Sequence, residues 1–390
     1  MSINLHWFLP TSDDGRGITG RAHPIPAAGE PAAGQPRARG AAWVKRPPDI
    51  EYLTQVARAA ELAGFDGVLT PTGVWCEDAW LITAALTRET RRLRFIVAFR
   101  PGFLSPTLAA HMAGTFQRLS GGRLVLNIVN GGQDDEQRMF GDLLPHDERY
   151  ARCAEFLTVV RGAWSGQPFD FTGDYYQVEG ASVFAPPDPC PDIYFGGSSP
   201  AAGQVAARHA DVYLTWGEPP GQVAEKIDWI RRLAKDEGRE VRFGIRLHAI
   251  ARDTPEDAWA EAARMLATID PGEVETTQQA LAASGSVGQR RQRELHAKYR
   301  VSGDPRDLEI HPNLWVGVGL VRGGSGAALV GSHQQVADLI EEYAALGIDE
   351  FIMSGYPHLE EAYWWGEGVI PELRRRGHLR EAAAPPAQAG

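Results

Sequence analysis

The chain has 390 residues, 43% hydrophobic and 23% charged, with a formal net charge of −11. This is the make-up of an ordinary globular protein large enough to bury a sizeable core, and its acidic balance argues against a nucleic-acid binder, which needs a basic face. Three cysteines form no disulfide framework, residues 1–10 lack the features of a secretory signal, and no apolar run reaches the roughly 20 residues of a membrane span, so a cytoplasmic protein is expected.

In chain order, strands are predicted over 4–9, 67–71, 94–99, 124–129, 192–195, 212–215, 241–250 and 350–354. Helices are predicted over 50–63, 106–119, 149–164, 200–209, 222–237 and 334–346. Alternating strands and helices imply a parallel sheet, and eight such units imply closure into a (β/α)8 barrel. A doubly wound sheet competes, although no strand leads into a Gly-x-Gly-x-x-Gly turn. Two insertions break the rhythm. Residues 14–48, rich in Gly, Ala, Pro and Arg, follow the first strand. Residues 271–331 separate the seventh and eighth units, with a polar helix predicted over 288–300 and then a glycine-dense run. Loops this long are either functional lids or disordered segments, and if both follow strand C-termini they stand over the barrel mouth. One domain is expected over 1–372, followed by a tail, 373–390, whose Ala/Pro-rich end is predicted to be unstructured.

Within Phe243-Gly-Ile-Arg246-Leu-His248, polar and apolar residues alternate, so Arg246 and His248 point to one side of an otherwise buried strand. Charge facing a core is costly without a partner, and two such groups side by side point to an anion pocket. A core histidine with a structural ion pair is the plainer alternative. Trp216 leaves its strand through Gly-Glu-Pro-Pro, and Arg322 sits beside Gly-Gly-Ser-Gly, a segment expected to move. Ser198 and Ser199, where a strand meets a helix, offer an anion cradle or simply a helix cap. His146 and Tyr150 stand one turn apart on one helix face. Cys76, just past the second strand, is either a small hydrophobe or a site residue. The motifs of metal-dependent hydrolases, such as His-Glu-x-x-His, are absent, so no metal is expected.

Longer blocks carry a resemblance. Trp-Phe-Leu-Pro-Thr at 7–11, Pro-Thr-Gly-x-x-Cys-Glu-Asp-Ala-Trp at 71–80, Arg-Pro at 100–101, His-x-Glu-Arg-Tyr at 146–150 and Tyr-Phe-Gly-Gly-Ser-Ser at 194–199 are followed by four more. These are Tyr-Leu-Thr-Trp-Gly-Glu-Pro-Pro at 213–220, Arg-Phe-Gly-Ile-Arg-Leu-His at 242–248, Asn-Leu-Trp-x-Gly-Val-Gly-Leu-Val-Arg-Gly-Gly at 313–324 and Ser-Gly-Tyr-Pro-His-Leu-Glu-Glu-Ala-Tyr at 354–363. Together, from residue 2 to about residue 372, the chain resembles the alkanesulfonate monooxygenases among the bacterial-luciferase-like flavin enzymes. The resemblance implies a two-component system in which a separate NAD(P)H-dependent reductase delivers reduced FMN (FMNH2). Its reaction with O2 gives a flavin-peroxide that cleaves a sulfonate C–S bond to an aldehyde and sulfite. It also implies a homodimer or homotetramer. By position, Trp216, Arg246, His248, Arg322, Tyr356 and His358 match the family's active-site residues and Cys76 its cysteine. His146, Tyr150, Ser198 and Ser199 match its flavin-phosphate region, and Asn130 ends the strand at which the wider superfamily contacts flavin.

The departures concern substrate more than chemistry. Ser12 stands where the family usually has histidine, Val74-Trp75 replaces an Arg-Ser-like pair, the first insertion is longer, and the segment after Asn130 runs differently. Trp75, with Arg16, Arg21, Arg37, Arg39 and Trp43 of the insertion, points towards a larger or polyhydroxylated sulfonate such as sulfoquinovose. Methanesulfonate and dimethyl sulfone are the small-substrate alternatives. A flavin- or deazaflavin-dependent dehydrogenase and a non-catalytic flavin-binding protein are the alternatives from other classes.

Overall fold

In a computed structural model, the structure describes residues 2–18, 45–131, 133–297 and 303–379. Eight parallel strands close a ring: β1 (Asn4–Phe8), β2 (Gly67–Thr70), β3 (Arg94–Phe99), β4 (Leu124–Ile128), β5 (Ile193–Gly196), β6 (Val212–Trp216), β7 (Arg242–Arg252) and β8 (Ile348–Ser354). Each pairs with its neighbours in chain order, and β8 returns to β1 through the register Asn4↔Glu350 to Trp7↔Met353. All eight coincide with the predicted strands, and the barrel expectation holds.

Period two sorts the side chains between two cores. Leu5 and Trp7 of β1, Phe95 and Val97 of β3, Ile245 and Leu247 of β7, and Phe351 and Met353 of β8 pack outward against the helices. Phe8, Leu69, Ile96, Val125, Tyr194, Val212 and Ile352 form a separate cluster filling the barrel. At one level of that interior the filling is ionic. Glu350 bonds His6 at 2.6 Å and Arg242 at 2.5 Å, and Arg242 reaches Asp192 at 2.8 Å.

The helices start where caps are available. Asp49 caps Ile50–Ala63, Ser105 caps Pro106–Ser120, Ser199 caps Pro200–His209, and Ser332 with Gln335 makes a capping box on His333–Ala345. The expected helix over 149–164 begins a turn earlier, as His146–Ala163, and the one over 222–237 begins at Pro220. The alternation is not strict: an antiparallel hairpin, Phe169–Thr172 with Gln177–Ala181, stands between that first helix and β5.

The first insertion is pinched at its base, where Asp14 and Arg46 exchange backbone bonds of 3.1 and 2.8 Å. Residues 19–44, including Arg21, Arg37, Arg39 and Trp43, lie outside the described residues. The second insertion carries helices Pro271–Ala282 and Val287–His296, and then Ala328–Ser332, a strand parallel to the far half of β7; residues 298–300 of the helix predicted over 288–300 lie outside the described residues. The tail does not begin at 373. Leu373 is fully buried, Arg376 pairs with Glu341 at 2.7 Å, and the His378 carbonyl accepts from the Ile3 N–H at 2.9 Å. Residues 380–390 lie outside the described residues.

Candidate active site at the barrel mouth

The C-terminal ends of the strands and the second insertion surround a cavity of about 290 Å³, and no described residue of the first insertion lines it. Its floor is apolar, with Phe8, Leu69, Ala98, Leu214 and Ile352, and the second insertion covers it with Ser286, Val287, Gly288 and Arg322–Ser325. The cover is fastened. Gln292 of helix Val287–His296 donates to the Gly217 carbonyl at 2.9 Å and accepts from the Gly326 N–H at 2.9 Å, while Gln289 accepts from the Gly324 N–H at 2.8 Å. Arg291 grips Glu218, which also holds Lys226 at 2.7 Å. The glycine run therefore does not hang free in this state, contrary to the mobile segment expected from its composition.

Arg246 and Arg322 define one end of the cavity. Arg246 is 9% exposed and stacks over the Phe8 ring at 4.5 Å; Arg322 lies over the same ring at 5.7 Å. Among the described residues, neither forms an ion pair with a carboxylate. Burial, and the mutual repulsion of the two guanidiniums, hold the Arg246 pKa well below its ordinary value. Burial likewise lowers Arg322 to about 10, with Asp13 and Asp14 opposing the shift. A buried and a half-buried guanidinium facing one cavity, with no carboxylate ion-paired to either among the described residues, suit an anion there.

His248, on the same face of β7, is engaged through both ring nitrogens: Nδ1 with the Ser354 hydroxyl at 2.6 Å and Nε2 with the Ser325 carbonyl at 3.0 Å. Burial, together with Arg246, Arg322 and His358, holds it well below the usual imidazole range, so it is neutral. Tyr356 stacks on the His248 ring at 5.5 Å and lies beneath Arg322 at 5.6 Å; among the described residues its buried hydroxyl has no hydrogen-bond partner.

The other end is polar. Ser198, Ser199, His146, Tyr150 and Asn130 line it. Ser199 Oγ accepts from the Ala202 N–H at 3.2 Å, and the Tyr213 hydroxyl donates to the Gly197 carbonyl at 2.7 Å. Gly197 adopts φ 153°, and a Cβ there would stand 2.5 Å from the Ala202 methyl, so only glycine fits the turn into helix Pro200–His209. Trp216 and Trp75 form the remaining walls, with Trp216 packed beneath Gly288 of the cover.

Three residues expected at the site are not on the cavity wall. Cys76 donates weakly to the Pro71 and Gly73 carbonyls at 3.7 and 3.6 Å, and burial pushes its thiol up to about 12. His358 turns away to Asp14, which accepts from its backbone N–H at 2.8 Å and meets Nδ1 at 2.9 Å. Tyr356 stands behind His248 and Arg322. Ser354, Ser325, Phe8 and Lys226 were missed. Phe8 and Ser354 share the inward phase of their strands with His6 and Ile352, which was a readable signal. Lys226 was marked by its place on the apolar face of an amphipathic helix, beside Val223 and Ile227.

A closed (β/α)8 barrel whose strand ends carry an anion pocket and a glycine-turn cradle defines a class of barrel enzymes acting on small ligands at the mouth. The family model described as luciferase-like monooxygenase matches residues 20–350, and the chain belongs to that family. Among solved structures, the fold is similar to riboflavin lyase RcaE with modified FMN and riboflavin (TM-score 0.76, 20% identity, 99% of this chain and 94% of that one). It is similar to DmoA from Hyphomicrobium sulfonivorans (TM-score 0.76, 22% identity, 99% and 91%) and to the long-chain alkane monooxygenase LadA (TM-score 0.74, 21% identity, 99% and 94%).

Proposed function

We propose that the chain is a monooxygenase that uses FMNH2 and O2 to cleave the C–S bond of an organosulfonate, its FMN being reduced by a separate NAD(P)H-dependent reductase. In balance, R–CH2–SO3⁻, O2 and FMNH2 give an aldehyde, hydrogen sulfite, water and FMN. The single observation that carries the substrate class is the pair of the buried Arg246 and the half-buried Arg322, neither of which forms an ion pair with a carboxylate among the described residues. A sulfonate is anionic across the physiological range and offers three oxygens to planar guanidiniums. A neutral sulfone would leave both charges unpaired.

The residues present fit the flavin. The turn at Gly197, the hydroxyls of Ser198, Ser199 and Tyr150, and the N-terminus of helix Pro200–His209 offer the donors a monophosphate needs. The apolar walls between this cradle and the arginines suit a flat ring system. When bound and reduced, the flavin supplies the electrons that activate O2. Around it, the chain's own groups bind, orient and shield. Arg246 and Arg322 hold the sulfonate, and the Gln289–Gln292 face of the cover excludes water. Trp75 on the cavity wall supports a sulfonate larger than methanesulfonate.

Purified chain, FMN, NADH and a flavin reductase should release sulfite from a panel of alkyl, aryl and sugar sulfonates, only in the presence of O2. Sulfite from none of them, or O2-independent oxidation of an alcohol with a deazaflavin, would move the chain to another member activity of its family.

A further inference from the structure

Four groups on three different segments close a hydrogen-bonded circuit beside the cavity. Arg246 Nη1 donates to Ser354 Oγ at 2.9 Å, Ser354 Oγ meets His248 Nδ1 at 2.6 Å, His248 Nε2 meets the Ser325 carbonyl at 3.0 Å, and Ser325 Oγ donates to the Arg246 carbonyl at 2.6 Å. The direction of every bond follows from what its ends can do. A guanidinium only donates, so Ser354 accepts from Arg246, and a carbonyl only accepts, so a His248 proton sits on Nε2. In the neutral ring Nδ1 is then an acceptor and takes the one Ser354 proton. The circuit with a neutral His248 therefore has a single consistent protonation pattern. It turns on one hydroxyl, which lies at the end of β8 and is completely buried.

We propose that Ser354 is a positioning residue of the sulfonate site: it aims the Arg246 guanidinium at the cavity and locks His248 as the neutral Nε2–H tautomer. His248 is thereby a structural strut rather than a proton carrier, its two nitrogens spent on Ser354 and on the cover loop. The circuit also ties the anion pocket to the cover, because Ser325 follows the Arg322-bearing glycine segment. Ser354 replaces the carboxylate that an arginine usually faces, leaving the full charge of Arg246 for a ligand. Nη1 spends its remaining donation on the Leu247 carbonyl at 2.6 Å.

This role in sulfonate binding rests on the proposed function, whereas the tautomer does not, and the test separates the two. Histidine-selective 15N labelling of the full chain, with His248 assigned by the loss of its signals in His248→Asn, should show a single Nε2–H tautomer that does not titrate between pH 5 and 9. In Ser354→Ala that pattern should become a tautomer mixture, and the Kd for octanesulfonate, read with FMN present, should rise about tenfold, the scale of one hydrogen bond to a charged group. Ser354→Thr, which keeps the hydroxyl and suits a strand, should restore both. An Nδ1–H or doubly protonated His248 in the native chain would overturn the proposal, as would an unchanged tautomer in Ser354→Ala. Failure of the native chain to bind octanesulfonate, with the tautomer results as expected, would count against the sulfonate reading and leave the positioning of His248 standing.

Discussion

At the scale of single residues, the site depends on which polar groups have partners and which do not. Arg246 combines a stacked ring, a serine and a carbonyl, and leaves its charge uncompensated. Replacement by lysine keeps one charge but loses the planar fork. Arg246→Lys should therefore lower kcat/KM by about tenfold or more with an unchanged melting profile, and near-native turnover would remove Arg246 from the anion pocket. Cys76 yields the opposite expectation. With its thiol pushed up to about 12, it carries almost no thiolate at pH 8, so iodoacetamide should alkylate it slowly and Cys76→Ala should retain most activity. Rapid alkylation that abolishes turnover would restore it to the site. Arg246 and His248 were legible in the sequence because period two places them together on one strand face. The inward phase of Ser354 was also readable, but its pairing with His248 was not, because 106 residues separate the two and only barrel closure brings them together. Cys76 and His358 lie within motifs matching the family, but a motif does not show which way a side chain turns.

At the scale of elements, the cover helix Val287–His296 bridges the two walls of the cavity by polar bonds, not by a large apolar face. Such a contact is suited to opening. Gln292→Ala leaves the Gly217 carbonyl and the Gly326 N–H unsatisfied and should loosen the cover by about 1–3 kcal/mol. Proteolysis within 271–331 should accelerate in this variant, and FMN should protect it less than the native chain. Arg322→Ala should still bind flavin yet release hydrogen peroxide in place of sulfite; normal coupling would show that the cover does not shield the reaction. The ring strands were readable because each is a short apolar run between turn signals. The hairpin Phe169–Thr172 with Gln177–Ala181 was not, since its strands are half-exposed and pair only with each other. Helix Pro255–Ala267 was overlooked despite a regular buried face of Ala258, Trp259, Ala262 and Met265.

At the scale of the whole molecule, the barrel carries its functional groups at one end and an ionic plug at the other. Burial alone would raise the Glu350 pKa, but the hydrogen bond and charge of His6, with Arg242, outweigh it and hold the carboxyl at about 2. A carboxylate depressed on folding contributes stability that is fully present above its unfolded value, about 4.3, and is lost as pH falls from there to about 2. His6→Ala removes one partner of this fully buried pair and should cost about 3 kcal/mol at pH 7, read as a lower urea midpoint, with the deficit shrinking below pH 4. A deficit independent of pH would show that cavity formation, not the ion pair, sets the loss. The pairing of a stable plug with a reactive mouth is the division of labour that closed barrels permit.

The central claim, that the mouth presents a sulfonate on Arg246 and Arg322 to reduced flavin and O2, is tested most directly in a single turnover. The chain is loaded anaerobically with FMNH2 and a sulfonate from the panel, then mixed with aerated buffer. The account predicts sulfite and aldehyde nearly equimolar with the flavin reoxidised, and their loss together in Arg246→Lys. Reoxidation that yields only hydrogen peroxide with every sulfonate offered would contradict it.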